Sequence, residues 1–270
     1  MYGHGHWILL ADVDELFVYP SCEAEKLASF CSWLDSGGHE AVYAILLDMY
    51  SDLPIRKVEY YRGEDFRIAC PFYDKDYSLV PCYSIPGIRP AFPPSEHIGG
   101  PRPRLCFPRQ NTVAVWPRIW PKVACRLMMM FQKAGFLRNA EVPVPATKTF
   151  KIPLVKWRRD YAFVTSHRLN KVPLSPVTGA MLHFKYFQDF GKKIDDALAS
   201  GEHYLGSAEY RVYARLIGSS PDLSLFYEGS ARYTTSNDLV RSGLVTTTGS
   251  WDRYCENSRT YASPVAAIQG

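Results

Sequence analysis

An apolar run, Trp7-Ile8-Leu9-Leu10-Ala11, leads directly into Asp12-Val13-Asp14-Glu15, and Leu16-Phe17-Val18-Tyr19-Pro20 follows. Such an uninterrupted apolar run is the pattern of a strand buried on both faces, and so of an α/β sheet. Ligands of open α/β sheets bind outside the carboxyl ends of the strands. Acidic residues at such an end can hold a hard divalent cation against a phosphate. The same carboxylates also suit a solvated acidic turn.

A chain of 270 residues makes one large domain or two small ones, and its 47% hydrophobic, 21% charged composition is that of a globular protein. A net charge of only +4 argues against a general nucleic-acid binder. Local clusters such as Lys156-Trp157-Arg158-Arg159 can still face a phosphate or an anionic surface. Seven cysteines without a Cys-x-x-Cys spacing point to buried, reduced thiols and a cytoplasmic location. No apolar stretch reaches the roughly 18 residues of a membrane-spanning helix. Peripheral contact with the inner membrane stays compatible with the sequence.

Further along, Leu27, Phe30, Cys31 and Leu34 recur at helical spacing, with Glu23 and Glu25 expected in the first turn and Gly37-Gly38 as the stop. The run Ala41 to Leu47 ends in Asp48-Met49-Tyr50-Ser51-Asp52, a second buried strand that delivers carboxylates, so two acidic strand ends can share one cleft. Turn formation and helix capping are the competing roles of Asp48 and Asp52. From Pro54 to Pro121 the Pro, Tyr and Arg content predicts loops and short strands. Within it, Gly99-Gly100 allows close backbone approach, and Arg102 and Arg104 supply planar donors, although Gly-Pro punctuation also marks plain turns. Val123 to Leu137 reads as a Met-rich helix of the core-filling kind, and Glu141 to Ala146 as extended chain.

Strands are expected over Lys151–Trp157, over Tyr161–Thr165 leading to His167, and over Gly179–Tyr186, which sets His183 and Lys185 on one side of the pleat. His183 is equally readable as a satisfied core histidine. A helix carrying Phe187, Phe190, Ile194 and Leu198 stops at Gly201, and another runs from Ala208 to Ile217 behind a Ser207 cap. From Pro221 onward periodicity fades. Residues 219–270 are therefore expected to form a loosely structured C-terminal tail.

The ordered set W-I-L-L-A-D-V-D-E-L-F-V-Y-P, L-L-D-M-Y-S-D, Gly99 to Arg104, K-I-P-L-V-K-W, Thr165-Ser166-His167 and L-H-F-K resembles the bacterial family-2-like glycosyltransferases, a GT-A type group. The resemblance implies a Rossmann-related mixed sheet flanked by helices over residues 1–218. It implies transfer of a sugar from a nucleotide-sugar donor to a glycan or other hydroxyl acceptor, inverting, in surface polysaccharide or glycan synthesis. Asp12 and Asp14 correspond to the D-x-D that binds Mn2+ or Mg2+ and the sugar nucleotide, and His183 to the histidine completing the metal site. Gly99 and Gly100 resemble the loop near the sugars. Arg102, Arg104, Lys151 and Lys185 would be cations for the diphosphate, and His167 would line the cleft. For the base that deprotonates the acceptor hydroxyl, Asp48 is the first candidate and Asp160 the second. Glu15 is expected to support the site.

Members of that group carry a nucleotide-holding βαβ unit before the D-x-D strand, whereas Met1 lies six residues before Trp7. An N-terminally truncated domain with an exposed sheet edge is thus expected, and with it the alternative of an inactive or partner-binding remnant. A D-x-D phosphatase is a further alternative, weakened by Leu16 and Phe17 after the second aspartate. A metallohydrolase built on His4-x-His6 lacks further ligands at matching spacing.

Overall fold

The run Ala41–Asp48 is buried at each of its positions and takes the middle place in a five-stranded sheet. The computed structural model describes residues 3–82, 92–136, 143–146 and 148–262. In chain order these form β1 (Trp7–Leu9), β2 (Glu15–Val18), α1 (Leu27–Ser36), β3 (Ala41–Asp48), α2 (Phe66–Ala69), β4 (Phe72–Asp74), β5 (Tyr77–Pro81), β6 (Ser95–Gly99), α3 (Pro101–Cys106) and α4 (Val115–Lys133). Then come β7 (Phe150–Lys156), β8 (Phe163–Thr165), β9 (Arg168–Leu169), β10 (Gly179–His183), α5 (Phe190–Ser200), α6 (Tyr204–Ser219), β11 (Ser230–Arg232), α7 (Ser236–Arg241) and α8 (Gly249–Ala262).

The main sheet has the order β1-β7-β3-β10-β2. Strands β3 and β10 run parallel, and the other three pairings are antiparallel. The architecture is mixed α/β, with helices against a mixed sheet. The Trp7–Ala11 run departs from its expected burial, because β1 is an edge strand with Ile8 36% and Leu9 41% exposed. An edge strand has one hydrogen-bonding neighbour, and the enclosed position belongs to β3.

The link from β1 to β2 shapes the sheet. It joins the two outermost strands, four inter-strand gaps apart. At roughly 4.8 Å per gap a flat sheet would need about 19 Å sideways alone. The same chain also climbs along the strands, from Leu9 opposite Leu154 to Glu15 opposite His183. Six residues reach at most about 20 Å, and a turn closed by the Glu15 N–H to the Asp12 carbonyl (3.1 Å) shortens that reach. The sheet must curl, and the Asp12–Glu15 turn lies across its strand ends.

Ile45, Leu47, Met49, Leu182 and Phe184 pack with Leu239 and Leu244, and a second core joins Tyr19, Phe30, Trp33, Val42 and Leu154 to Trp251. A third cluster holds Tyr186, Phe190, Ile194 and Tyr213 between α5 and α6. The expected α5 stop is present, with Gly201 left-handed at φ 63°.

Several expectations need correction. Residues 221–262 are not loosely structured: β11 pairs with β4, and Trp251 is fully buried with its indole N–H donating to the Pro20 carbonyl (3.0 Å). A few large anchors, spaced by tertiary contacts and not by helical period, hide this order from a periodicity reading. Helix α1 starts at Leu27, so Glu23 and Glu25 do not serve its dipole. Glu23 instead accepts from the Ser236 N–H and hydroxyl (both 2.6 Å), and Glu25 from the Ser258 hydroxyl (2.7 Å), tying the C-terminal segment down. Helix α4 begins at Val115 and absorbs Pro121, eight residues before the expected start at Val123, while Leu137 lies outside the described residues. Ser207 does not cap: left-handed at φ 60°, it donates its hydroxyl to the Ala197 carbonyl (2.5 Å). Among the described residues no helix is long and apolar enough to cross a membrane.

Candidate functional site

Asp48 is the last residue of β3 and His183 the last of β10, and the parallel register sets them side by side. Partners in adjacent strands direct their side chains to the same face. His183 Nδ1 lies 2.7 Å from Asp48 Oδ1, and His183 Nε2 lies 3.6 Å from Asp14 Oδ2. In the neutral ring, an ionised Asp48 draws the proton to Nδ1, so Nε2 turns its lone pair toward Asp14. The Asp14 carbonyl accepts from the Phe184 N–H (2.9 Å), which fixes the turn over the end of β10.

Asp48 is 2% exposed. Burial alone would raise its carboxyl, but the Arg102 guanidinium at 2.5 Å and the His183 hydrogen bond hold it below the usual carboxylate range. Arg102 comes from the first turn of α3 and also faces Glu209 at 3.9 Å. Both Asp48 oxygens are engaged, Oδ1 by His183 and Oδ2 by Arg102. This buried carboxylate is a poor proton acceptor and a good orienting group for the imidazole.

Lys151, at the start of β7, is 1% exposed and divides itself between Glu15 (2.6 Å) and Asp12 (3.2 Å). Glu15 also accepts from the Asp12 N–H (2.9 Å), so it closes the turn as expected of a supporting residue. Lys185 donates to the neutral Tyr213 hydroxyl (2.9 Å) and sits 4.4 Å from that ring's centre. Burial lowers its affinity for a proton, and Arg102 adds to the effect. His167 Nδ1 meets the Phe150 carbonyl (3.0 Å) beside this group. Its pKa is pushed down by burial, against the Phe150 bond, with the Lys151 and Arg102 charges assisting.

Asp12, Asp14, Asp48, Arg102, Lys151, His167, His183 and Lys185 are thus brought together, as the sequence reading grouped them. Arg104 and Asp160 part from that group, and Gly99 and Gly100 have a backbone reason of their own. Arg104 grips Asp74 with two hydrogen bonds (2.9 and 3.2 Å) and the Leu225 carbonyl (2.8 Å), and its guanidinium stacks on Tyr227. Gly99 and Gly100, at φ 139° and 92°, lie against Tyr77; a Cβ on Gly99 would come within 2.6 Å of the Asp76 carbonyl oxygen. That contact at Gly99, a clash with the Tyr77 hydroxyl at Gly100, and the backbone conformation of both account for the two glycines. Asp160 is exposed in the turn beyond β7, the strand's far end from Lys151 and roughly 17 Å along it. The sequence reading missed Glu209 and Tyr213, which lie on α6 in an ordinary amphipathic pattern and bond to each other.

Neighbouring ligands of a six-coordinate Mg2+ or Mn2+ at about 2.1 Å lie about 3.0 Å apart. Asp14 and His183, at 3.6 Å, need only a small approach to act as such a pair. Asp12, with its side chain 65% exposed, adds an accessible carboxylate at the rim. Among the described residues no three or more His, Cys, Asp or Glu side chains converge on one point. The donor set suits a cation that takes one or two protein ligands and completes its shell with phosphate oxygens and water. No family model, no curated protein and no solved structure matches this chain.

Proposed function

We propose that the chain transfers a sugar from a nucleotide-diphosphate donor to a hydroxyl acceptor, in the manner of a GT-A type glycosyltransferase. One observation carries the reading: the Asp48–His183–Asp14 array at the carboxyl ends of the parallel pair, with a histidine oriented on one side by a buried carboxylate and open on the other. A bound Mn2+ or Mg2+ supplies charge neutralisation of the diphosphate leaving group. Asp14 and His183 would hold it. Asp48 keeps the His183 ring in place, and Arg102 keeps Asp48 ionised. Lys185, bonded to a phenol and not to a carboxylate, is the cation best able to turn to a phosphate oxygen. Lys151, fully occupied by Asp12 and Glu15, sets the turn and does not meet the donor directly.

The test is titration of the full chain with UDP and GDP, with and without Mn2+. Metal-dependent binding is expected, and Asp14→Ala and His183→Ala should each weaken it about tenfold or more. Asp14→Ala should leave the melting transition in place, whereas His183→Ala, which strips a partner from buried Asp48, should lower it. Absence of metal-dependent binding in the wild type, or unchanged binding in Asp14→Ala, overturns the assignment. So does Asp12-dependent hydrolysis of para-nitrophenyl phosphate, which would favour a phosphatase.

A further inference from the structure

Helix α4 is amphipathic with its apolar side turned outward. Trp116, Trp120, Leu127, Met130 and Phe131 are 66%, 49%, 44%, 66% and 49% exposed. At about 100° per residue these five fall in one arc of about 100°. Trp116 and Trp120 stack on each other at 5.6 Å. The opposite side meets the body of the protein through buried Cys125 and through Arg118, which donates to buried Glu96 (3.0 Å). Of the three consecutive methionines, Met130 stands outward at 66% exposure, whereas Met129 meets buried Cys125 on the inward side.

The charge around this face has one sign. Between Glu96 and Glu141 the sequence has no Asp or Glu, and although Arg102, Arg104 and Arg118 in this stretch are paired with Asp48, Asp74 and Glu96, other cations of the stretch are exposed. Arg126 and Lys133 border the apolar arc and are exposed, as is Arg109 before the helix. A second copy docked on the same face would set cations against cations with no carboxylate in the stretch to pair them. Trp favours the boundary between hydrocarbon and headgroups, and a helix with Trp, Leu and Phe on one face and flanking Lys and Arg lies in that boundary.

We propose that the outward face of α4 docks on an anionic lipid surface, its stacked tryptophans entering the headgroup region and Arg126 and Lys133 meeting lipid phosphates. The inference is independent of the reaction the chain performs. It is tested by co-sedimentation of the full chain with vesicles of phosphatidylcholine alone and of phosphatidylcholine with about one third phosphatidylglycerol, the charge attraction being screened by salt. Binding to the anionic vesicles alone, falling as salt rises, is expected. Trp116→Ser/Trp120→Ser should weaken it about tenfold or more. Arg126→Glu/Lys133→Glu should weaken it about twentyfold or more at low salt, at about fivefold for each cation lost. Met130→Gln/Phe131→Gln is a second apolar variant, should the tryptophan variant fail to fold by circular dichroism. Ile68→Ser, on α2 and equally solvent-facing, should bind as the wild type does. The proposal is overturned if the wild type ignores anionic vesicles, or if folded apolar-face variants bind them undiminished. A wild-type dimer without lipid that the apolar-face variants dissolve also overturns it, assigning the face to a second copy.

Discussion

Asp48 has the most constrained environment of the site's carboxylates, with one oxygen on Arg102 and the other on His183. Removing one member of a buried pair leaves the other charge without compensation, at a cost of about 3–5 kcal/mol. Asp48→Asn should lower the urea-unfolding free energy by about that amount. Asp160→Asn, at an exposed turn, should stay within about 0.5 kcal/mol of wild type. Equal effects of the two would show that the Asp48 pairing does not contribute to folding. The two aspartates also mark what was legible at this scale. Asp48 could be placed because it ends an apolar run, and strand ends are local features. Asp160 could not, because β7 runs antiparallel to β3 and presents its first residues, not its last, to the site. Strand direction is a property of pairing. Likewise, Arg102 and Arg104 are alike in sequence, and only the positions of Asp48 and Asp74 separate the one in the site from the one outside it.

Elements with strong local signals came out in the expected places, β3 and β7 nearly to the residue, while β10 ends at His183, short of Tyr186, and α5 starts at Phe190, leaving Phe187 outside it. Helix α8 is the counterexample. Its polar sequence gives little warning that Trp251 stands among Tyr19, Phe30 and Trp33, with ring centres 4.9–6.4 Å away. Deleting a large buried aromatic side chain typically costs about 3–5 kcal/mol. Trp251→Ala should therefore destabilise the whole protein by about that much, read from the urea midpoint, and should expose residues after Gly243 to limited proteolysis. A variant with unchanged stability and an intact C-terminus would mean that α8 does not anchor the sheet. Helix α4 fails the periodicity reading in the opposite sense. Its period is regular, but the apolar arc faces away from the core, and period alone does not say which side is covered.

For the molecule as a whole, His97 gives the fold a defined acid response. Its Nδ1 lies 2.9 Å from the Tyr43 hydroxyl, and burial pushes its pKa down to about 4. The unfolded chain takes up this proton near pH 6.5, so between there and about pH 4 it binds more protons than the folded chain. Stability must then fall as the pH is lowered through that window, by at most about 3 kcal/mol from this group. His97→Gln should flatten the decline when urea midpoints are compared between about pH 7 and about pH 5. An unaltered slope would place the acid sensitivity elsewhere.

The sequence by itself located β3, β7 and β10, showed that the apolar run of β3 ends in a carboxylate, and supplied the residue types a metal and diphosphate site would need. Those signals are local, resting on burial pattern and on the residue following an apolar run. Only the tertiary structure decided that the Asp12–Glu15 turn crosses the ends of a curled sheet, that Lys151 is consumed by that turn, and that His183 stands between Asp48 and Asp14. Asp48 and His183 are 135 positions apart in the chain, and a parallel ladder between β3 and β10 makes them neighbours. No local pattern encodes such a pairing; it follows from how the apolar faces of distant elements are buried together.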